Sequence, residues 1–310
     1  ARLRQHLRRP GSLAWVAALL TALFAWGAWR VERRLDLMSL LPTSHPAVRA
    51  SLEAGVGRQE LLFLVAEGDA KDLDARVAWA ETGTLPYLAR LHGPHEVNVT
   101  IRAVRLPTGV YPLKDAARAL QVIGAAYPSV HACGDALSGA LMNAGPIIHP
   151  PLVVMNAAPL QHHARWDIHT EGTQPAVRAV TDRLDAERIA IREALGYSAP
   201  HYPLADHYTS DRWMYGDAHR KLQKSGDWRE HIDLIHHRYV SEDIELGLSL
   251  LASVARWAAV DAPIAHGLLA LAGGWLGRDL RAGPRSLDAL GLARLSRTAF
   301  TEGLAEGRLP

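Results

Sequence analysis

The stretch Gly145-Pro-Ile-Ile-His149-Pro-Pro-Leu152 decides how the second half of the chain folds. Proline is favoured at the first position of a helix, because the N–H that it lacks would have no partner there. We therefore predict a helix over residues 150–160 with His149 at its N-cap. The rest of this half is mainly helical by its periodicity, and the further predicted helices span residues 175–195, 206–223, 242–259, 263–276 and a tail from 287.

A second polar stretch, Arg238-Tyr-Val-Ser-Glu-Asp243, stands at the start of the apolar helix predicted over 242–259. A histidine and a carboxylate on two facing helix starts can act as a general acid–base pair. Asp243 would accept the ring N–H of His149 and fix its tautomer, and Arg238 could bind a substrate carboxylate at two points. From these residues alone, helix capping by His149 and Asp243 with a solvated Arg238 is the alternative interpretation.

The first half of the chain carries strand patterns after its N-terminal segment. They predict a buried strand, a strand ending in a polar turn, a β-rich segment and an amphipathic helix, in that order: residues 60–65, 76–87, 96–106 and 113–126. After His131 the pattern becomes helical.

Several motifs occur in order along the chain: Glu81-Thr-Gly-Thr84-Leu-Pro86-Tyr, Gly145-Pro-Ile-Ile-His149-Pro-Pro-Leu-x-x-x-Asn156-Ala, Glu171-Gly-Thr-Gln-Pro175-Ala-Val, Asp185-Ala-Glu-Arg188, Arg238-Tyr-Val-Ser-Glu-Asp243 and Leu276-Gly-Arg-Asp279. Together they resemble the octopine/nopaline (opine) dehydrogenase family over residues 77–310. The resemblance implies a mainly α fold, with a helical C-terminal domain of the 6-phosphogluconate dehydrogenase type behind a Rossmann domain. It also implies the family's reaction, in which an amino acid condenses with a 2-oxo acid and the imine is reduced with NAD or NADP.

The resemblance also implies roles for single residues. His149 would be the catalytic acid–base residue, Asp243 its orienting partner and Arg238 a carboxylate binder. Thr82 and Thr84, at the end of the sheet, would line the substrate cleft. The motif departs from the family between these threonines, where Asp or Asn is common and this chain has Gly83.

One part of the family pattern is missing. A dinucleotide site needs a strand, a Gly-x-Gly-x-x-Gly turn and a helix N-terminus. Gly55-Val-Gly57 lacks the third glycine, and Gly273-Gly274 falls in a predicted helix. We therefore expect a truncated α/β Rossmann remnant at residues 77–131 before the helical domain at 132–310, no cofactor-binding residues, and negligible dehydrogenase activity for this chain alone.

The N-terminus differs from the rest of the chain. An uncharged stretch over residues 13–29 stands between arginine-rich flanks, and as a helix it would span about 26 Å, close to the bilayer core of about 30 Å. We predict a single membrane helix within residues 1–34, with a signal peptide or a buried helix as alternatives. Residues 1–70 resemble the start of a resistance–nodulation–division type lipid exporter, and we assign residues 35–76 to an exporter-like α/β segment.

Composition excludes several classes of function. A net charge of +2 gives no argument for nucleic acid binding, and one cysteine allows neither an internal disulfide nor a cysteine metal site. The sixteen histidines lack the spacing of metal ligands, so no metal is expected. Three hypotheses remain. The first is an opine-dehydrogenase-like oxidoreductase acting on an amino acid and a 2-oxo acid, the second is a membrane-anchored exporter fragment or a binding or assembly protein, and the third is a non-functional chimera. The chain would be a membrane protein if residues 13–29 insert, and otherwise cytoplasmic.

Overall fold

The computed structural model describes residues 63–65, 78–93, 96–225, 229 and 231–309. The strands in these residues are β1 Phe63–Val65, β2 Ala78–Thr82, β3 Tyr87–Gly93, β4 Glu96–Arg102, β5 Leu106–Tyr111 and β6 Val130–Asp135. One sheet has the order β1-β2-β5-β6, and β3 pairs with β4 in a separate antiparallel hairpin. The predicted strand at residues 76–87 and the β-rich segment at 96–106 are confirmed.

The sheet contains one β–α–β unit. Strands β5 and β6 are parallel, and helix α1, Ala116–Ala126, connects them. Strand β2 runs antiparallel to both β1 and β5. Alanines and Val110 of β2 and β5 pack against α1, which covers one face of the sheet. This arrangement puts the end of β2, with its polar turn, at the edge where the helical region begins.

Helix α2, Ala136–Ala140, lies very close to the other face of the sheet. A Cβ on Gly109 of β5 would lie 2.0 Å from the Asp135 carbonyl oxygen, and one on Gly139 of α2 would lie 2.5 Å from the Glu81 carbonyl oxygen. Only glycine allows backbones to approach so closely. The two glycines therefore allow the first helix of the helical region to pack directly against the backbone of the sheet.

Most of the described residues follow α2, and this region is built from helices. They are α3 Gly145–Met155, α4 Ala157–His162, α5 Pro175–Ala194, α6 Ala205–Thr209, α7 His219–Ser225, a π-helix Tyr239–Leu248, α8 Ser249–Ala258, α9 Pro263–Leu276 and α10 Arg297–Glu306. Helices α5 and α9 begin at the predicted prolines. One apolar core runs through the region and includes strand residue Leu106 as well as Leu304 near the C-terminus.

The continuous helix predicted over residues 206–223 is wrong. The chain forms two short helices there, α6 and α7, separated by a loop. Gly216 has a positive φ of 58°, and the Met214 carbonyl oxygen accepts hydrogen bonds from the N–H groups of Val104 and Arg105. The loop is therefore held by contacts with the segment between β4 and β5, which local periodicity cannot reveal.

The predictions for the N-terminal part fall largely outside the described residues. These are the membrane helix over 13–29 and most of the exporter-like segment 35–76, of which only β1 is described. Among the described residues, no helix is both long enough and apolar enough to cross a bilayer.

Candidate active site

A cleft with a cavity volume of about 120 Å³ lies where the end of β2 meets the helical region. Four of the residues predicted for the site line it: Thr82, Thr84, His149 and Arg238. The fifth, Asp243, lies behind His149 on the π-helix. The structure therefore brings together residues that are far apart in the sequence.

His149 and Asp243 are joined by a hydrogen bond of 2.7 Å between Nδ1 and Oδ2. Their side chains are 15% and 7% exposed, so the bond is largely shielded from water. A carboxylate in this position favours the tautomer with the proton on Nδ1 and stabilises the imidazolium when it forms. Nε2 is then the ring nitrogen that can exchange a proton with a molecule in the cleft.

The predicted helix starts at these two residues are wrong. Helix α3 begins at Gly145, and Pro146 takes the first-turn position where a missing N–H costs little, so His149 lies inside the helix. Asp243 is likewise inside the π-helix, which begins at Tyr239. The N-cap residue is Arg238, and the Nδ1 of His237 just before it accepts a hydrogen bond from the Tyr239 N–H at 3.2 Å. The pair therefore joins two helix interiors, which excludes N-capping as the function of either residue.

Gly145 makes room for the carboxylate. A Cβ at this position would lie 2.2 Å from Asp243 Oδ1, far inside van der Waals contact. Gly247, one turn further along the π-helix, similarly admits Pro146, whose Cγ would be 2.2 Å from an added Cβ. Close packing of α3 against the π-helix thus depends on one glycine from each helix. Gly145 belongs to the quoted motif, but sequence analysis did not assign it this role, and Gly247 lies outside the motifs.

Tyr239 is a site residue that sequence analysis missed. Its ring stacks on the His149 imidazole, with centroids 3.7 Å apart and planes 14° apart. Its hydroxyl lies 3.1 Å from Nε2 of His169, which also lines the cleft. The Arg238 guanidinium carbon is 5.4 Å from the centre of the same ring, within cation–π range. Tyr239 therefore fixes the plane of the imidazole while Asp243 fixes its direction.

The two threonines of the cleft use their hydroxyl protons within the chain. Thr82 Oγ1 donates to the Thr84 carbonyl oxygen at 2.9 Å, and Thr84 Oγ1 donates to the Tyr215 hydroxyl at 2.6 Å. Their oxygens keep acceptor lone pairs, so they suit an ammonium group better than a carboxylate. Gly83 between them is tightly packed, since an added Cβ would lie 2.5 Å from Met142 Cβ. The Asp or Asn common in the family would therefore require a shift at Met142.

A group of aromatic residues forms another part of the cleft wall. We call it the aromatic wall, and its members are His207, Tyr208, Trp213, Tyr215 and His219. Burial lowers the pKa of His207 to about 3, and burial together with the charge of Arg178 lowers the pKa of His219. Sequence analysis missed this wall because residues 206–223 were predicted as one helix. That helix would have turned His207 and Trp213 away from the face shared by the other three rings.

The cleft and its surroundings offer no place for a metal among the described residues, where no group of three potential ligands occurs. A dinucleotide fits only in part. The strand-to-helix junctions in the described residues contain Tyr111-Pro112-Leu113 after β5 and Asp135 after β6, and neither is the glycine-rich turn that a pyrophosphate needs. No glycine-rich turn between a strand and a helix therefore occurs among the described residues.

The sequence was compared with protein-family models and with characterised proteins. Residues 132–276 match the family model for the alpha-helical domain of NAD/NADP octopine/nopaline dehydrogenase. The chain is 25% identical over 268 residues to the opine dehydrogenase of Arthrobacter sp. (strain 1C), a match that covers 81% of this chain and 73% of that protein. These matches support the predicted resemblance of the chain to the octopine dehydrogenase family.

One further sequence relative and one solved structure are similar to the chain. A vitopine synthase of Allorhizobium ampelinum is 27% identical over 172 residues, covering 51% of this chain and 44% of the synthase. The fold resembles an octopine dehydrogenase solved with NADH and agmatine, with a TM-score of 0.53, 16% identity, and coverage of 77% of this chain and 66% of that one. The chain therefore spans less than two thirds of both proteins.

The comparisons give no support to the exporter resemblance of residues 1–70. The match to the Arthrobacter opine dehydrogenase covers 81% of the chain, which is more than residues 77–310 contain, so it extends upstream of residue 77. Dehydrogenase-like sequence thus reaches into the segment that we assigned to an exporter.

Proposed function

We propose that this chain carries the substrate-binding and proton-transfer part of an opine-dehydrogenase-like oxidoreductase, which condenses an amino acid with a 2-oxo acid and reduces the product. One observation carries the proposal. In a cleft between β2 and the helical region, His149 is held by a shielded hydrogen bond to Asp243 and by a stacked Tyr239 ring, with Nε2 left for a substrate.

The condensation step follows from these positions. The amino acid arrives as an ammonium ion, and Nε2 of His149 takes one proton so that the nitrogen lone pair can attack the keto carbon. The resulting carbinolamine loses its hydroxyl group as water once the same imidazolium returns the proton to that oxygen. Ammonium ion and 2-oxo acid thus give a protonated imine and one water, and His149 ends in its starting, neutral state.

Binding groups for both substrates line the same cleft. Arg238 offers two parallel N–H donors to a carboxylate. The threonine hydroxyl oxygens of Thr82 and Thr84 offer acceptors to the ammonium group. The family also uses NAD or NADP, which would supply the hydride that reduces the imine. A glycine-rich turn for the phosphates of this cofactor does not occur among the described residues.

Neither the expected inactivity of the chain nor the membrane-anchored exporter fragment receives support from the relatives, all of which are opine dehydrogenases or an opine synthase by name.

The test measures oxidation of NADH and of NADPH by the full chain with pairs of amino acids and 2-oxo acids. We expect oxidation with at least one pair, and loss of it in His149→Ala. His162→Ala, an exposed histidine on α4, is the matched control and should keep full activity. A wild-type chain that oxidises neither cofactor with any pair, or a His149→Ala variant as active as the control, would refute the proposal.

A further inference from the structure

We propose that the aromatic wall is the subsite for the side chain of the amino acid substrate, and that it selects uncharged apolar side chains. This inference rests on the proposed function and adds the substrate class. It starts from the wall's position, since all five rings line the cleft that also contains His149.

The rings of the wall form one continuous surface. His207 is central, with its ring centroid 4.6 Å from that of Trp213, 5.4 Å from His219 and 5.0 Å from Tyr208. Trp213 continues to Tyr215 at 5.3 Å. Offset and edge-to-face contacts of this kind hold aromatic side chains rigidly. The surface is therefore preformed for a ligand.

The wall is joined to the polar end of the cleft by one hydrogen bond, from Thr84 to the Tyr215 hydroxyl. A substrate whose ammonium group lies at Thr84 would direct its side chain along the rings. Leu85 and Leu222 line the same cleft and add aliphatic surface. An apolar side chain is stabilised there by leaving water.

The charges around the wall oppose a cationic side chain. The guanidinium of Arg178 lies 4.3 Å above the Tyr208 ring and already occupies that π face. His207 and His219 are neutral near pH 7, because burial and Arg178 lower their pKa values. The Nδ1 of His207 has no hydrogen-bond partner in the described structure. A second positive charge beside Arg178 would be repelled and poorly solvated.

The main rival occupant is a cationic side chain held by Glu81. This is the one carboxylate among the described residues that line the cleft, and it stands at the end of β2 beside Thr82. The rival makes a distinct prediction, since it requires arginine or lysine to be preferred and requires that preference to disappear in Glu81→Gln.

The experiment compares amino acids at a fixed 2-oxo acid, pyruvate, with the full chain. We expect kcat/KM for L-phenylalanine or L-leucine to exceed that for L-arginine, L-lysine and L-glutamate by at least about tenfold. His219→Ala should raise KM for L-phenylalanine about fivefold or more with kcat nearly unchanged, because it removes binding contacts without touching His149. His162→Ala should leave both constants unchanged.

The outcomes separate this inference from the proposed function. Oxidation with a charged amino acid preferred, or a His219→Ala variant with unaltered KM, overturns the subsite while the function stands. If no pair oxidises either cofactor, the function fails, and calorimetry of L-phenylalanine against L-arginine on the same protein decides the subsite. Tighter binding of L-arginine, or no detectable binding of L-phenylalanine, then overturns it.

Discussion

Replacing Asp243 by Asn changes one charge and almost no volume at the partner of His149. The 2.7 Å bond from Nδ1 ends on the carboxylate of Asp243, whose side chain is 7% exposed. An asparagine amide can turn its NH₂ toward Nδ1, which moves the ring proton to Nε2 and removes the base. If instead its oxygen faces Nδ1, the tautomer is kept but the negative charge that stabilises the imidazolium is gone.

Either arrangement predicts a large loss. In serine proteases, where a buried carboxylate orients a histidine in the same way, the corresponding Asp-to-Asn change lowers kcat by about 10⁴. The His149 ring is additionally held by Tyr239, which preserves its plane but cannot preserve its tautomer. We therefore expect kcat to fall by about 10³–10⁴, equivalent to roughly 4–5.5 kcal/mol of transition-state stabilisation.

The assay is cofactor oxidation at saturating amino acid and 2-oxo acid, with melting temperature measured in parallel. Asp288→Asn is the control, because Asp288 is an exposed aspartate whose partner, Arg256, lies outside the cleft. It should match the wild type. An Asp243→Asn enzyme within about tenfold of the wild type, folded and stable, would refute the orienting role of Asp243.

Three further changes test the surroundings of the pair. Gly145→Ala places a Cβ 2.2 Å from Asp243 Oδ1, and kcat should fall by about a hundredfold, because catalytic groups tolerate little displacement. Tyr239→Leu removes the stacked ring, and kcat should fall roughly two- to tenfold, as expected for the loss of one aromatic pair. His207 binds a proton near pH 6.5 when unfolded but only near pH 3 when folded, so the unfolded state binds more protons between these values and the free energy of unfolding decreases as pH falls from 6.5 toward 3, by at most about 1.4 kcal/mol per pH unit.

Each of these changes has its own control. Gly274→Ala in α9 adds a Cβ that has no other atom within 4 Å, so activity should be unchanged and stability unchanged or higher. Tyr239→Phe keeps the stacked ring and loses the hydrogen bond to His169, so it should remain more active than Tyr239→Leu. Chemical denaturation of His207→Phe across the acid range should give a shallower dependence on pH than the wild type. Equal slopes, equal Tyr239 variants or a fully active Gly145→Ala would contradict the respective argument.

The pair itself was accessible from the sequence, but its geometry was not. Proline at 150 and 151 suggested a helix start, whereas Pro146 takes that role one turn earlier. The acidic residues Glu242 and Asp243 suggested another, whereas the π-helix already begins at Tyr239 with Arg238 as its N-cap residue. Capping patterns are local and repeat within a few residues, so tertiary packing decides which of two candidates is used.

The aromatic wall and Tyr239 could not be found in the same way. Tyr239 acts through a stacking contact with a residue on another helix, and no spacing rule reports such a contact. The wall depends on a loop fixed by hydrogen bonds from Val104 and Arg105, so its rings converge only after β4 and β5 are in place. Contacts between residues far apart in the sequence were the missing information in both cases.

The close fit of α2 against the sheet has a consequence for protein engineering. The helical domain that matches the family model begins at residue 132, and Gly109 before it and Gly139 after it allow close backbone packing across this boundary. Thr82 and Thr84, also before the boundary, line the same cleft as His149. A nucleotide-binding half grafted at residue 132 would have to recreate both features, whereas one grafted upstream of β2 would inherit them intact. The natural unit for domain exchange is therefore the helical domain together with the strands from Ala78 onward.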